Sequence, residues 1–197
     1  VSTFEWSVGG SVIGSSATLD LSTTGVMPDD LVTCTVSVTD SDGASATDMI
    51  AQTITNRTPT LSNTTITPNS GITTDTALLC ETTVADDDGE SLTSTYTWTI
   101  GSNSYTGASL QLNSTMVTPG DTITCTVDVT DGYGGTATDT TTVNVNNTDP
   151  VISDVSITYT GDLTSTSQLT CAYIATDADN QTLTPTYTWT NLSTNTP

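Results

Sequence analysis

Two heptapeptides constrain this chain more than anything else in it. They are Val32-Thr33-Cys34-Thr35-Val36-Ser37-Val38 and Ile123-Thr124-Cys125-Thr126-Val127-Asp128-Val129. Apolar and polar residues alternate without a break in each. A period of two over seven residues is the pattern of a β-strand with one buried face. No stretch shows a helical period, so the sequence predicts an all-β protein. The two segments lie 91 residues apart and place Cys34 in register with Cys125.

The same offset recurs along the chain. Asp40 maps to Asp131, Asn56 to Asn147, Pro59 to Pro150, Cys80 to Cys171 and Asp86 to Asp177, each 91 positions on. Trp6, Trp98 and Trp189 follow at 92 and 91. Internal repetition of this kind sets the architecture before any single motif does. Residues 60–148 read as one complete unit. Residues 1–59 read as the second half of a preceding unit, and residues 149–197 as the first half of a following one. Trp6 and Trp189 both fall on a unit's third strand, so the expectation is a stretch of a longer tandem array. Within the complete unit, strands are predicted near residues 61–67, 76–84, 91–100, 108–112, 121–130 and 136–145. Short strands at this density, separated by turn signals, predict a β-sandwich.

Composition then removes whole classes of function. The 197 residues include one Arg, no Lys and no His against 22 Asp and Glu, a formal net charge of −21. Without His there is no Ser-His-Asp nucleophile and no His-ligated zinc. Without Lys there is no Schiff base and no P-loop lysine. One cation cannot neutralise a phosphate backbone, so nucleic acid is not an expected partner. No apolar run approaches the length of a membrane span, so no direct membrane insertion is expected. Low hydrophobicity with high net charge can signal disorder. Here, however, charged residues are only 12% of the chain. Its polarity comes from 50 Thr, a β-branched residue suited to pleated surfaces.

Cys80, Trp98 and Cys125 stand on the second, third and penultimate predicted strands, the order of an immunoglobulin core. With Val84-Ala85-Asp86-Asp87-Asp88-Gly89-Glu90-Ser91-Leu92-Thr93, Tyr96-Thr97-Trp98 and Val38-Thr39-Asp40-Ser41-Asp42-Gly43, the unit resembles the immunoglobulin-like, PKD-like and cadherin-like modules of large prokaryotic surface and filament proteins. The resemblance implies tandem immunoglobulin-like sandwich repeats of about 91 residues. It also implies an inter-sheet disulfide between Cys80 and Cys125, with Cys34 and Cys171 pairing outside this sequence. The alternative is four buried thiols behaving as small apolar residues. Disulfides would place the protein at an oxidising exterior, extracellular or on the cell surface.

Six N-x-S/T sequons, at Asn56, Asn63, Asn113, Asn146, Asn180 and Asn191, agree with a secreted glycoprotein, although a chain this rich in Thr and Asn produces sequons by chance. Asp86, Asp87, Asp88 and Glu90 fill one loop of the complete unit and Asp131 another. In an immunoglobulin-like sandwich both loops emerge at the end facing the preceding linker. Calcium takes six to eight oxygen ligands, which such a junction could supply. The next junction offers Asp177, Asp179 and Asn180 with linker residues Asn147 and Asp149. The first has Arg57 in its linker, a cation able to replace an ion by pairing with a carboxylate. The competing reading is that these Asp and Gly residues are turn formers needing no ion.

The expected function is therefore structural and non-enzymatic: an extracellular stalk, fibre or filament whose partners are neighbouring copies of the same repeat, with no cofactor except calcium. The alternatives are an adhesin-type module for cell adhesion, binding glycan or protein, and a spacer within a larger secreted enzyme.

Overall fold

A computed structural model describes residues 1–191, and among these it contains thirteen β-strands, one 3-10 turn and no α-helix. Among the described residues no helix is long and apolar enough to cross a membrane. The strands are β1 (Ser2–Val8), β2 (Ser11–Gly14), β3 (Leu31–Thr39), β4 (Ser45–Thr53), β5 (Thr60–Thr67), β6 (Ala77–Ala85), β7 (Thr93–Ile100), β8 (Asn103–Thr106), β9 (Ser109–Gln111), β10 (Thr122–Thr130), β11 (Thr136–Asn144), β12 (Val151–Thr158) and β13 (Thr170–Thr176). They form four sheets, ordered β2-β1-β3-β4, β11-β10-β7-β8, β5-β6-β9 and β12-β13. The segment expected near residues 108–112 is β9, which pairs with β6; β8, just before it, is an additional strand pairing with β7.

By packing, the chain separates into two compact units. One comprises Val1–Thr64, Glu81–Tyr96 and Thr126–Thr140; the other comprises Thr65–Cys80, Thr97–Cys125 and Thr141–Pro197. The division runs across β5, β6, β7, β10 and β11.

In the first unit, β1, β3 and β4 are antiparallel and in continuous register. Trp6 lies opposite Cys34, and Cys34 opposite Ile50, so the three share one face of the sheet. That face is poorly covered: Ile50 is 75% exposed. The central alternation behaves differently. Val127 and Val129 on β10 are fully buried in this unit.

The second unit holds most of the buried apolar side chains, including Ile72, Leu78, Trp98, Leu112, Val117 and Ile123. Cys80 on β6 and Cys125 on β10 are joined by a disulfide, tying the three-stranded sheet to the four-stranded one. Trp98 is completely buried and its indole Nε1 donates to the Gly107 carbonyl at 2.8 Å. Trp6 makes the matching bond to the Ser16 carbonyl at 2.9 Å but is only half-buried, and Trp189 is exposed. The β12–β13 hairpin also belongs here; every residue of β12 is exposed.

Several backbone devices recur at the 91-residue offset. Asn63 and Asp154 both take left-handed φ, of 55° and 53°, a conformation that Asn and Asp tolerate better than most residues. Asp154 falls where the β12–β13 register shifts. Asp40 Oδ1 accepts the Asp42 and Ala44 N–H groups, and Asp131 Oδ1 accepts those of Tyr133 and Gly135. Each closes a hairpin loop by the same Asx turn.

Candidate metal centre

The acidic loop after β6 is organised from within. Asp86 Oδ1 accepts the Asp88 N–H at 2.7 Å, and Gly89 takes φ 79°, letting the loop reverse. Asp88 turns back to the linker. Its Oδ2 accepts the Arg57 backbone N–H at 2.7 Å, and its Oδ1 accepts the Arg57 Nε at 2.7 Å and forms an ion pair with Nη2 at 2.7 Å. Arg57 Nη2 also donates to the Asp87 carbonyl. The contact of Arg57 Nη1 with the Asp87 carboxylate is longer, 3.4 Å, between side chains 59% and 82% exposed, and adds little.

Arg57 thus occupies Asp87 and Asp88 and leaves the inner three carboxylates. Oxygens of Asp86, Glu90 and Asp131 lie within 4.8 Å of one another. Asp131 spends Oδ1 on its own hairpin, and its Oδ2 accepts the Asn56 Nδ2 at 3.0 Å. Gly135 is required beside it, because a Cβ there would overlap the Asp131 carboxylate and crowd the Asn56 amide. Four oxygens around this cluster are shut off from solvent with no hydrogen-bond donor: Asp86 Oδ2, both Glu90 oxygens and Asn56 Oδ1. Acceptors gathered without protein donors carry a desolvation cost that a proton, a cation or a bound water can offset.

The titration of these groups reflects that geometry. Burial pushes the Glu90 carboxyl above the usual range, and the Asp86 carboxylate reinforces this. The Asn56 amide holds Asp131 below its ordinary value, and the Tyr133 and Gly135 N–H groups add to this against its burial. The Arg57 side chain, then its backbone N–H, holds Asp88 low. A raised carboxyl penalises the fold above its unfolded value, about 4.3 for Glu, and the penalty is relieved as pH falls through the folded value. Depressed carboxyls stabilise above about 3.9, and that contribution is lost as pH falls through their lowered values. With chelator present, the melting temperature of the first unit is expected to rise on mild acidification from neutrality and to fall below about pH 3.9. Glu90→Gln should remove the rise and keep the fall. A rise of equal size in that variant would assign it to general relief of the −21 charge.

The corresponding loop of the second unit repeats the latch but not the cluster. Asp177 Oδ1 accepts the Asp179 N–H at 2.8 Å, as Asp86 does for Asp88. Asp179 Oδ2 accepts the Thr148 N–H at 2.6 Å, 31 residues back, the separation of Asp88 from Arg57. Asp179 is buried; Thr74 Oγ1 donates to its Oδ1 at 2.8 Å, and the Thr148 N–H is the main reason its carboxyl lies low. Asp177 Oδ2 is left without a partner. Gln181 stands where Glu90 does, and Asp149 is exposed. Among the described residues, only Asp86, Glu90 and Asp131 come together with metal-ligand spacing. The sequence favours the Asn147–Pro150 junction; the structure gathers its carboxylates beside the first, because Arg57 binds the outer pair and spares the inner three.

Two participants escape a reading by sequence. Asn56 stands out there as a sequon and a repeat position, not as a partner of the acidic loops, yet its amide links the linker to Asp131, and its Nδ2, the atom a glycan would occupy, is engaged. Asn63, Asn113, Asn146, Asn180 and Asn191 are exposed, with the Asn180 Nδ2 donating to Ser114 Oγ. Thr74 carries no motif at all; only the fold brings it to Asp179. Comparison with known proteins finds no family model that matches the chain and no curated protein that matches it.

Proposed function

We propose that this chain is a non-catalytic structural repeat protein, built from immunoglobulin-like sandwiches of about 91 residues and serving as an extracellular stalk, fibre or filament. The observation that carries the reading is the recurrent latch: a loop carboxylate grips the linker backbone 31 residues upstream, Asp88 on Arg57 and Asp179 on Thr148. Repetition of a fastening, in a chain without His or Lys, suits reach and stiffness rather than chemistry. The disulfide suits an oxidising exterior. Beside the first latch, Asp86, Glu90, Asp131 and Asn56 Oδ1 would hold calcium, whose all-oxygen, flexible coordination matches such a donor set. The ion would neutralise the cluster and lock the linker against both loops.

Titration calorimetry of the full chain with Ca²⁺ tests this. One saturable site is expected, weakened at least about tenfold by Asp131→Asn and by Gly135→Ala, which drives a methyl into the Asp131 carboxylate. Small-angle scattering should show a stiffer particle with Ca²⁺ than with chelator. Absence of binding heat, with scattering indifferent to chelator, would remove calcium and leave the latches as the only stiffening device.

A further inference from the structure

Of the N-x-S/T sequons, one is folded into a shape that the others lack. Asn113-Ser114-Thr115 follows β9 and lies between Leu112 and Val117, each only 2% exposed, so the short loop is anchored in the core on both sides. Asn113 and Thr115 themselves are exposed. The Asn113 carbonyl accepts the Met116 and Val117 N–H groups at 2.9 and 3.2 Å, which closes a turn. Inside it the Thr115 N–H donates to Asn113 Oδ1 at 3.0 Å, and the Thr115 hydroxyl donates to the same oxygen at 2.5 Å. A backbone N–H can only donate, so it settles which terminal atom of the amide is the oxygen. The other terminal atom, Nδ2, donates to no group among the described residues.

Each remaining sequon lacks part of this arrangement. Asn56 has its Nδ2 tied to the Asp131 carboxylate. Asn180 has its Nδ2 tied to Ser114 Oγ. In the sequon of Asn146 the third residue, Thr148, is taken: Asp179 accepts its N–H at 2.6 Å, and its hydroxyl lies 3.4 Å from the same carboxylate. Asn63 lies within β5, whose backbone is committed to a sheet. The sequon that begins at Asn191 runs outside the described residues.

We propose that Asn113 is an N-glycosylation site, at which an oligosaccharide is transferred from a polyprenyl diphosphate carrier to Nδ2. The bond from Nδ2 to the sugar C1 forms as the bond from C1 to the diphosphate oxygen breaks. The diphosphate leaves with the electron pair, and the amide proton passes to a base of the transferase. As the nitrogen gives up that proton, charge gathers on Oδ1, where two donors are already aimed; they stabilise it as an oxyanion hole does. The Cys80–Cys125 disulfide belongs to an oxidising compartment, the side of a membrane on which such carriers are used. Asn113 stands two residues beyond the end of β9, the outer strand of its sheet. A glycan there flanks an edge whose unpaired backbone groups could otherwise pair with another chain, in a protein with no Lys to protect it.

The test presents the intact, disulfide-bonded chain to a single-subunit oligosaccharyltransferase that reads N-x-T sequons, with a polyprenyl diphosphate oligosaccharide as donor, and maps the glycopeptides. Asn113 should be modified first, with occupancy at least about tenfold that of Asn56, whose Nδ2 must first leave a hydrogen bond to a carboxylate. Asn113→Gln should abolish this first glycan, with Cys80–Cys125 intact as the check on folding. Ser114→Ala keeps the sequon and both bonds of the turn, so Asn113 occupancy should be unchanged. An unmodified Asn113, in a chain whose other sequons or a control protein accept the sugar, overturns the proposal. Occupancy at Asn113 no higher than at Asn56 overturns it equally, because the folded turn would then confer no preference.

Discussion

Replacing both Cys80 and Cys125 by alanine is expected to lower stability by about 4 kcal/mol, the chain-entropy value for a loop closed over 45 residues. Domains of this size have only about 5–15 kcal/mol to lose. The effect is large here because the core is small for the length of chain: hydrophobic residues are 34% of the total, and many on β3, β4 and β12 remain exposed. At about 4–8 °C per kcal/mol, the melting temperature should fall by about 15–30 °C. Calorimetry of the double variant, with Cys34 and Cys171 kept reduced, measures it. A fall of under about 5 °C would mean that sheet packing, not the cross-link, holds the central strands together.

Trp98→Ala should be nearly as damaging, costing about 3–5 kcal/mol. The side chain is fully enclosed, and its loss opens a cavity while leaving the Gly107 carbonyl without its indole donor. Trp98→Phe keeps most of the volume and loses only the hydrogen bond and part of the packing, so about 1–2 kcal/mol is expected. Trp6→Ala supplies the comparison. Trp6 makes the same kind of indole-to-carbonyl bond, but its ring is half-exposed, so its removal should cost less than half as much. Denaturant unfolding of the three variants gives the order directly. Equal losses at positions 6 and 98 would show that the hydrogen bond, common to both, matters more than burial.

The strands and their phase were legible in the residues. Alternation dictates which side of a strand each side chain takes, a property of the pleat needing no tertiary information. The segments expected at 121–130 and 136–145 correspond to β10 at Thr122–Thr130 and β11 at Thr136–Asn144. The Asx turns at Asp40 and Asp131 are local for the same reason, since donor and acceptor lie within four residues. Burial was not legible. Val32–Val38 and Ile123–Val129 have the same alternation, yet Val127 and Val129 are enclosed while Val38 is 48% exposed. A strand's apolar side is determined by its own residues; whether another sheet covers that side depends on strands elsewhere. Nor could the residues tell which carboxylates gather. Asp86 to Glu90 form one acidic run, but Arg57, about 30 residues upstream, takes its middle, and Asn56 reaches Asp131 across 75 residues. Charge and spacing offered two junctions, and only the path of the first linker selected Asp86, Glu90 and Asp131.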